Sequence, residues 1–123
     1  MAVQSYRDLR VWQNAMDLAE SCYRLTSGFP KDEMFGLTAQ IRRASVSIAA
    51  NIAEGYGRET TGAYAQFLRI AQGSLKELET HLLLAERLRL ADPQATSGAL
   101  EACDALGRML RSLIRSIDTK ARR

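Results

Sequence analysis

The chain has 123 residues, 46% of them hydrophobic and 25% charged. This is globular composition with room for a buried core, and it excludes disorder and a disulfide- or metal-stapled miniprotein. The net charge of +3 is a mild bias towards acidic partners, and it comes with 14 Arg against 3 Lys. Arg suits bidentate phosphate contacts, although a GC-rich codon usage produces the same skew.

The sequence predicts four successive helices at residues 8–27, 32–56, 61–90 and 93–119. They form one all-α domain over residues 1–123, an antiparallel up-and-down four-helix bundle. Ser5 or Asp8 is placed to cap the first helix. Its apolar stripe is Trp12, Ala15, Ala19, Cys22 and Thr26, and Gly28-Phe29-Pro30 stops it. The second helix carries a seam of Leu37, Ile41, Ala44, Ile48 and Ile52. Small residues surround that seam (Ala39, Ser45, Ser47, Ala49, Ala50, Ala53), so a neighbouring helix is expected to approach closely. Gly55 and Gly57 mark its exit.

Thr60 or Thr61 is placed to cap the third helix. Its seam of Tyr64, Leu68, Ala71, Leu75, Leu78, Leu82 and Ala85 alternates steps of four and three over three heptads. Gly73 interrupts that helix, and close packing of a partner helix is the expected compensation. Asp92, followed by Pro93, caps the fourth helix, with Ser97 the later alternative. The fourth seam is Ala99, Cys103, Leu106, Leu110, Leu113 and Ile117. Short connections make sequential helices antiparallel neighbours.

The apolar surface exceeds what one bundle stripe needs. Leu82, Leu83 and Leu84 are consecutive and so spread over about 200° of the helix. Ile70, Phe67, Leu88 and Leu90 flank the seam, and Tyr6, Leu9, Val11 and Trp12 crowd the start of the first helix. Such a patch is expected to be covered by further copies of the chain, with Trp12, Leu83 and Leu84 at the interface.

Motifs for chemistry are few. Cys22 and Cys103 fall on helical stripes without Cys-x-x-Cys spacing and are read as buried, reduced thiols. His81 is the single histidine, four residues after Glu77, a helix-face pair rather than a base or metal ligand. No di-iron Glu-x-x-His motif and no phosphate loop is present, so an enzyme, a cofactor and a metal site are not expected. No segment has the apolar length to span a bilayer, and the N-terminal residues do not read as a secretion signal. The expected home is the bacterial cytoplasm.

Two polar features remain. In the second helix Gln40, Arg42, Arg43, Asn51, Glu54 and Arg58 cluster around the seam. They read as a polar network locking helix packing, or as a small-ligand site. On the fourth helix Asp104, Arg108, Arg111, Arg115, Asp118 and Arg122 form a stripe opposite the seam. It is either a phosphate-binding face or a solvated one with Asp104–Arg108 and Asp118–Arg122 pairs. No aromatic residue interleaves with these arginines, so stacking on single strands is not indicated.

The segment Gln40-Ile-Arg-Arg-Ala-Ser-Val-Ser-Ile-Ala-Ala-Asn-Ile-Ala-Glu-Gly-Tyr-Gly-Arg58 resembles the signature of a family of bacterial four-helix-bundle proteins. That family was first named for reading frames inside intervening sequences of 23S ribosomal RNA genes. Tyr6-x-x-Leu9-x-Val11-Trp12, Phe29-Pro30, Phe67-Leu68, Ile70-Ala71 and Gly73-Ser74-Leu75-x-Glu77-Leu78 extend the resemblance over nearly the whole chain. One departure is Ala49-Ala50, where the family usually carries a proline that bends the helix. The resemblance implies an up-and-down bundle assembled into a ring, five copies being the arrangement associated with the family and its relatives. Those relatives, accessory proteins of diversity-generating retroelements, bind nucleic acid and a reverse transcriptase through a basic surface. By that analogy Arg42, Arg43, Arg58, Arg108, Arg111, Arg115 and Arg122 are candidate contacts to RNA, DNA or a nucleoprotein. The family name records a gene location rather than an activity. The rival expectations are a protein-interaction scaffold and a small-ligand carrier at Asn51 and Glu54.

Overall fold

The computed structural model describes residues 3–121, with the side chain of Ala121 outside that description. Four helices make up the bundle: α1 (Arg10–Thr26), α2 (Leu37–Tyr56), α3 (Thr61–Arg87) and α4 (Pro93–Ala121). Each packs against the next, and α1 closes the circle against α4, so the diagonal pairs stay apart. This is the antiparallel up-and-down arrangement that short connections favour.

The helix starts show how local chemistry sets the boundaries. Ser5 and Asp8 cap a single 3-10 turn, Tyr6–Asp8, rather than α1 itself. Ser5 Oγ accepts from the Arg7 amide at 3.0 Å, and Asp8 Oδ2 accepts from Ser5 N at 3.2 Å. Extended backbone at Leu9 then lets α1 begin. The second helix starts at Leu37, not near Asp32. After Pro30 the chain makes a separate 3-10 turn, Lys31–Glu33, and Gly36 at φ −104° and ψ −117° breaks the helical path. Glu33 Oε1 accepts from the Leu37 amide at 3.1 Å, supplying an acidic partner at the new start. Thr60 caps α3 through the Ala63 amide, 3.1 Å. Asp92 Oδ1 accepts from the Gln94 amide at 3.1 Å, and Pro93 takes the first helical position of α4.

The third helix ends at Arg87, three residues before the expected 90. Leu90 N donates to Ala85 O at 3.0 Å and Arg89 N to Glu86 O at 3.1 Å, the paired bonds of a Schellman ending. Arg89 carries the left-handed conformation this requires, φ +57°. An L side chain is disfavoured there and glycine is not. Arg89→Gly is therefore expected to raise stability by about 1 kcal/mol, read as a higher urea midpoint.

The core follows the seams. Ile41, Ile48 and Ile52 of α2, Leu68, Leu75, Leu78 and Leu82 of α3, and Leu106 and Leu110 of α4 are fully buried. One seam position differs: Ile114 is buried while Leu113 is only half-buried. The expected Ile117 is buried, so the difference is confined to one turn, where Leu113 and Ile114 straddle the seam. At the start of α1 the expected excess is largely absorbed. Val11 is buried, and Trp12 is half-buried with its ring edge-on to Tyr6, centroids 5.2 Å apart.

Helices α2 and α3 approach closely, as the small residues foretold. Gly55 is buried where they meet, and a Cβ there would lie 2.8 Å from Phe67 Cβ and 3.2 Å from Tyr64 O. Gly73 behaves oppositely. It is exposed, and nothing lies within 4 Å of where its Cβ would be, so no close helix contact compensates for it.

Both cysteines are free and fully buried, as the stripes implied. Burial pushes each thiol up from the ordinary 9.0 to about 12. Between those values the unfolded chain loses thiol protons that the folded chain keeps. Stability is therefore unaffected by the thiols below pH 9 and falls as the pH rises towards 12. Burial also raises the Tyr64 hydroxyl, which acts with the same sign. The urea midpoint should decline between about pH 9 and about pH 10.5, and Cys22→Ala with Cys103→Ala should flatten that decline.

Candidate functional site

The expected contacts separate into different environments once folded. Arg42 of α2 is committed to the end of α1. Its Nε donates to Thr26 Oγ1 at 2.9 Å and a terminal nitrogen donates to Tyr23 O at 3.4 Å, with the guanidinium 4.6 Å over the Tyr23 ring. Those bonds satisfy a carbonyl of the final turn of α1, so Arg42 joins two helices instead of facing solvent. Arg58 stacks 4.6 Å over Phe67 and lies 3.9 Å from Glu54. Arg43 is exposed on α2 and makes no ion pair among the described residues.

The polar residues of α2 do not assemble as one cluster. Asn51 Nδ2 donates to Ser47 O at 2.8 Å and to Ser47 Oγ at 3.1 Å. Ser47 Oγ in turn meets Ser74 Oγ of α3 at 2.8 Å. The network thus joins Asn51, Ser47 and Ser74 and bridges two helices. Among the described residues Gln40, Arg43 and Glu54 have no bond to it. Ser47 and Ser74 were legible only as small residues, because their pairing depends on helix register. His81 Nε2 is buried without a hydrogen-bond partner among the described residues and lies 3.5 Å from Glu77 Oε1.

On α4, Arg108, Arg111 and Arg115 are exposed and make no ion pair among the described residues. The expected Asp104–Arg108 pair is not formed. Asp118 bonds Arg69 of α3 at 2.6 Å, a link between helices, and the expected Asp118–Arg122 pair lies outside the described residues. Arg122 lies outside the described residues. Arg69, Gln72 and Lys76 of α3 stand beside the arginines of α4, lining the same seam. Sequence reading missed these three because it followed only the apolar stripe of that helix; their spacing of three and four was the available signal.

The apolar candidates also divide. Trp12 borders an open groove of about 540 Å³ between α1 and α2, with Met16, Tyr23, Val46 and Ala50 among its walls. Leu83 and Leu84 remain exposed on α3, with Leu88 nearby. Phe35, in the α1–α2 connection, is 92% exposed.

Among the described residues no cluster of three or more His, Cys, Asp or Glu side chains is arranged to hold a metal ion, and no helix is long and apolar enough to cross a membrane. The family model described as 23S rRNA-intervening sequence protein matches residues 7–112. The chain belongs to that family. The same fold is seen in a solved structure from Bacteroides thetaiotaomicron, a protein of unknown function from the S23 ribosomal protein family. That structure is 22% identical, covers 85% of this chain and 97% of its own, and superposes with a TM-score of 0.76. The likeness is one of fold. No curated protein matches the chain. For a member of the 23S rRNA-intervening sequence family, the signature around Asn51 now has a structural account. It places Ser47, Asn51 and Gly55 where α2 meets α3.

Proposed function

We propose that this family member is a non-catalytic, ring-forming bundle of the bacterial cytoplasm that binds structured nucleic acid through its arginine-bearing faces. The observation that carries the reading is the row Arg108, Arg111 and Arg115, exposed on α4 and unpaired among the described residues. Unpaired guanidinium groups on one helix face suit a phosphate backbone, and repetition around a ring multiplies their field. Assembly is supported by the exposed Leu83, Leu84 and Leu88 and by the open α1–α2 groove beside Trp12, which leave apolar surface for other copies.

Fluorescence anisotropy with a hairpin RNA and a duplex DNA, from low to physiological salt, tests the binding. Tight, salt-steep association is expected, and its absence at low salt would leave the scaffold reading. Light scattering tests the assembly: a ring of five has five times the 13.7 kDa chain mass, and a monomer at micromolar concentration would end that part.

A further inference from the structure

Two shallow grooves lie end to end along the α3–α4 seam and share Gln72 and Arg111. The first, about 430 Å³, has Arg69, Lys76 and Arg111 around Gly73 and Gly107. The second, about 290 Å³, continues past Arg115 to Thr119. The two glycines differ in what they explain. Gly107 is buried, with Leu75 Cδ2 3.5 Å from where its Cβ would be, so helix packing accounts for it. Gly73 has open space and weakens α3 with no packing return. It sits four residues after Arg69 and three before Lys76, so both cations flank it on one helix face.

We infer that this seam is a track for the sugar–phosphate backbone of one strand of a duplex nucleic acid, with Gly73 leaving the room for close approach. The inference rests on the nucleic-acid reading above and names its site. Four cations line the seam. Arg69 and Lys76 are held by Asp118 at 2.6 Å and Glu79 at 3.3 Å. Arg69 and Lys76 are themselves exposed, and such pairs are weak enough to yield to phosphate. Arg111 and Arg115 have no such partner among the described residues. Gln72 adds an amide donor between them. From Gly107 to Thr119 the seam runs about 18 Å, room for about five nucleotides of one strand at 3.4 Å axial rise. The groove walls bring no aromatic side chain to stack on bases, which favours a duplex over a single strand. Nor do they bring an exposed large apolar side chain to anchor a protein partner.

The test is anisotropy of a labelled hairpin RNA with the full chain and three variants, each checked by circular dichroism and thermal melting. The double variant Arg111→Gln with Arg115→Gln should lose affinity about ten-fold or more at low salt, and its salt slope should fall by about two. Gly73→Leu fills the groove without altering charge. It should weaken binding about five-fold while leaving the salt slope unchanged. Arg87→Gln, an exposed arginine at the end of α3 that lines neither groove, should stay within about two-fold of the unaltered chain. If the unaltered chain binds RNA while the double variant and Gly73→Leu bind equally well, the seam is overturned and the nucleic-acid reading survives. If the unaltered chain binds no RNA at low salt, both fall. A poly-glutamate peptide binding as tightly as the RNA would overturn the assignment to a nucleic-acid strand.

Discussion

Gly55→Ala is expected to cost about 2 kcal/mol of stability, although alanine is the better helix former. The added methyl would stand 2.8 Å from Phe67 Cβ, 3.2 Å from the Tyr64 ring and 3.2 Å from Tyr64 O. A Cβ and a backbone oxygen cannot swing aside as a long side chain would, so α2 and α3 must separate locally. Overpacking of this kind costs about 1–3 kcal/mol, and this case belongs at the upper end. Alanine's better propensity returns about 1 kcal/mol. Gly73→Ala is the control, because the same propensity gain meets open space there. It should stabilise the fold by about 1 kcal/mol. Urea melts of the two variants should therefore move in opposite directions. Equal shifts would mean that α2 and α3 do not meet at Gly55 as described.

The contrast between these two glycines also marks where sequence reading stops. Both interrupt or end an apolar helical pattern, and both were open to explanation by close packing. Only the register of α2 against α3 separates them, and register depends on which side chains interlock. The seams themselves were legible because burial imposes a period near 3.6 on apolar residues. The seven seam residues of α3 all lie against the core, with Tyr64 the one left half-buried. The exchange of Leu113 for Ile114 and the delayed start of α2 at Leu37 are finer effects, one confined to a single turn of α4 and one of Gly36 backbone geometry.

The polar residues were less legible for a related reason. A charged side chain has no periodic requirement, and its role depends on what another helix brings to it. Arg42 and Arg43 are adjacent in sequence, yet Arg42 closes on Thr26 and Tyr23 while Arg43 faces solvent. Asp118 bonds Arg69 across the seam, a partner on another helix that no pattern within α4 announces. The arginines of α4 were visible as a stripe. Their companions Arg69 and Lys76 entered only when α3 and α4 were laid side by side.

Leu82→Ala and Leu83→Ala should have very different consequences, though the residues are neighbours. Leu82 is 0% exposed, and truncating it leaves a cavity between helices that cannot collapse fully. The expected loss is about 3–4 kcal/mol, a large share of the roughly 5–15 kcal/mol that holds a domain of this size. Leu83 is 47% exposed and Leu84 44%, so each gives up little water-excluded surface within one copy. Their truncation should cost less than about 1 kcal/mol in the folding of a single chain. Assembly reverses the ranking. If these side chains contact another copy, replacing both with alanine lowers the mass seen by light scattering while each chain stays folded by circular dichroism. Leu82→Ala lowers the melting temperature first and loses assembly only with the fold. A double variant of Leu83 and Leu84 that keeps the unaltered mass would remove this face from the interface and move attention to the groove beside Trp12.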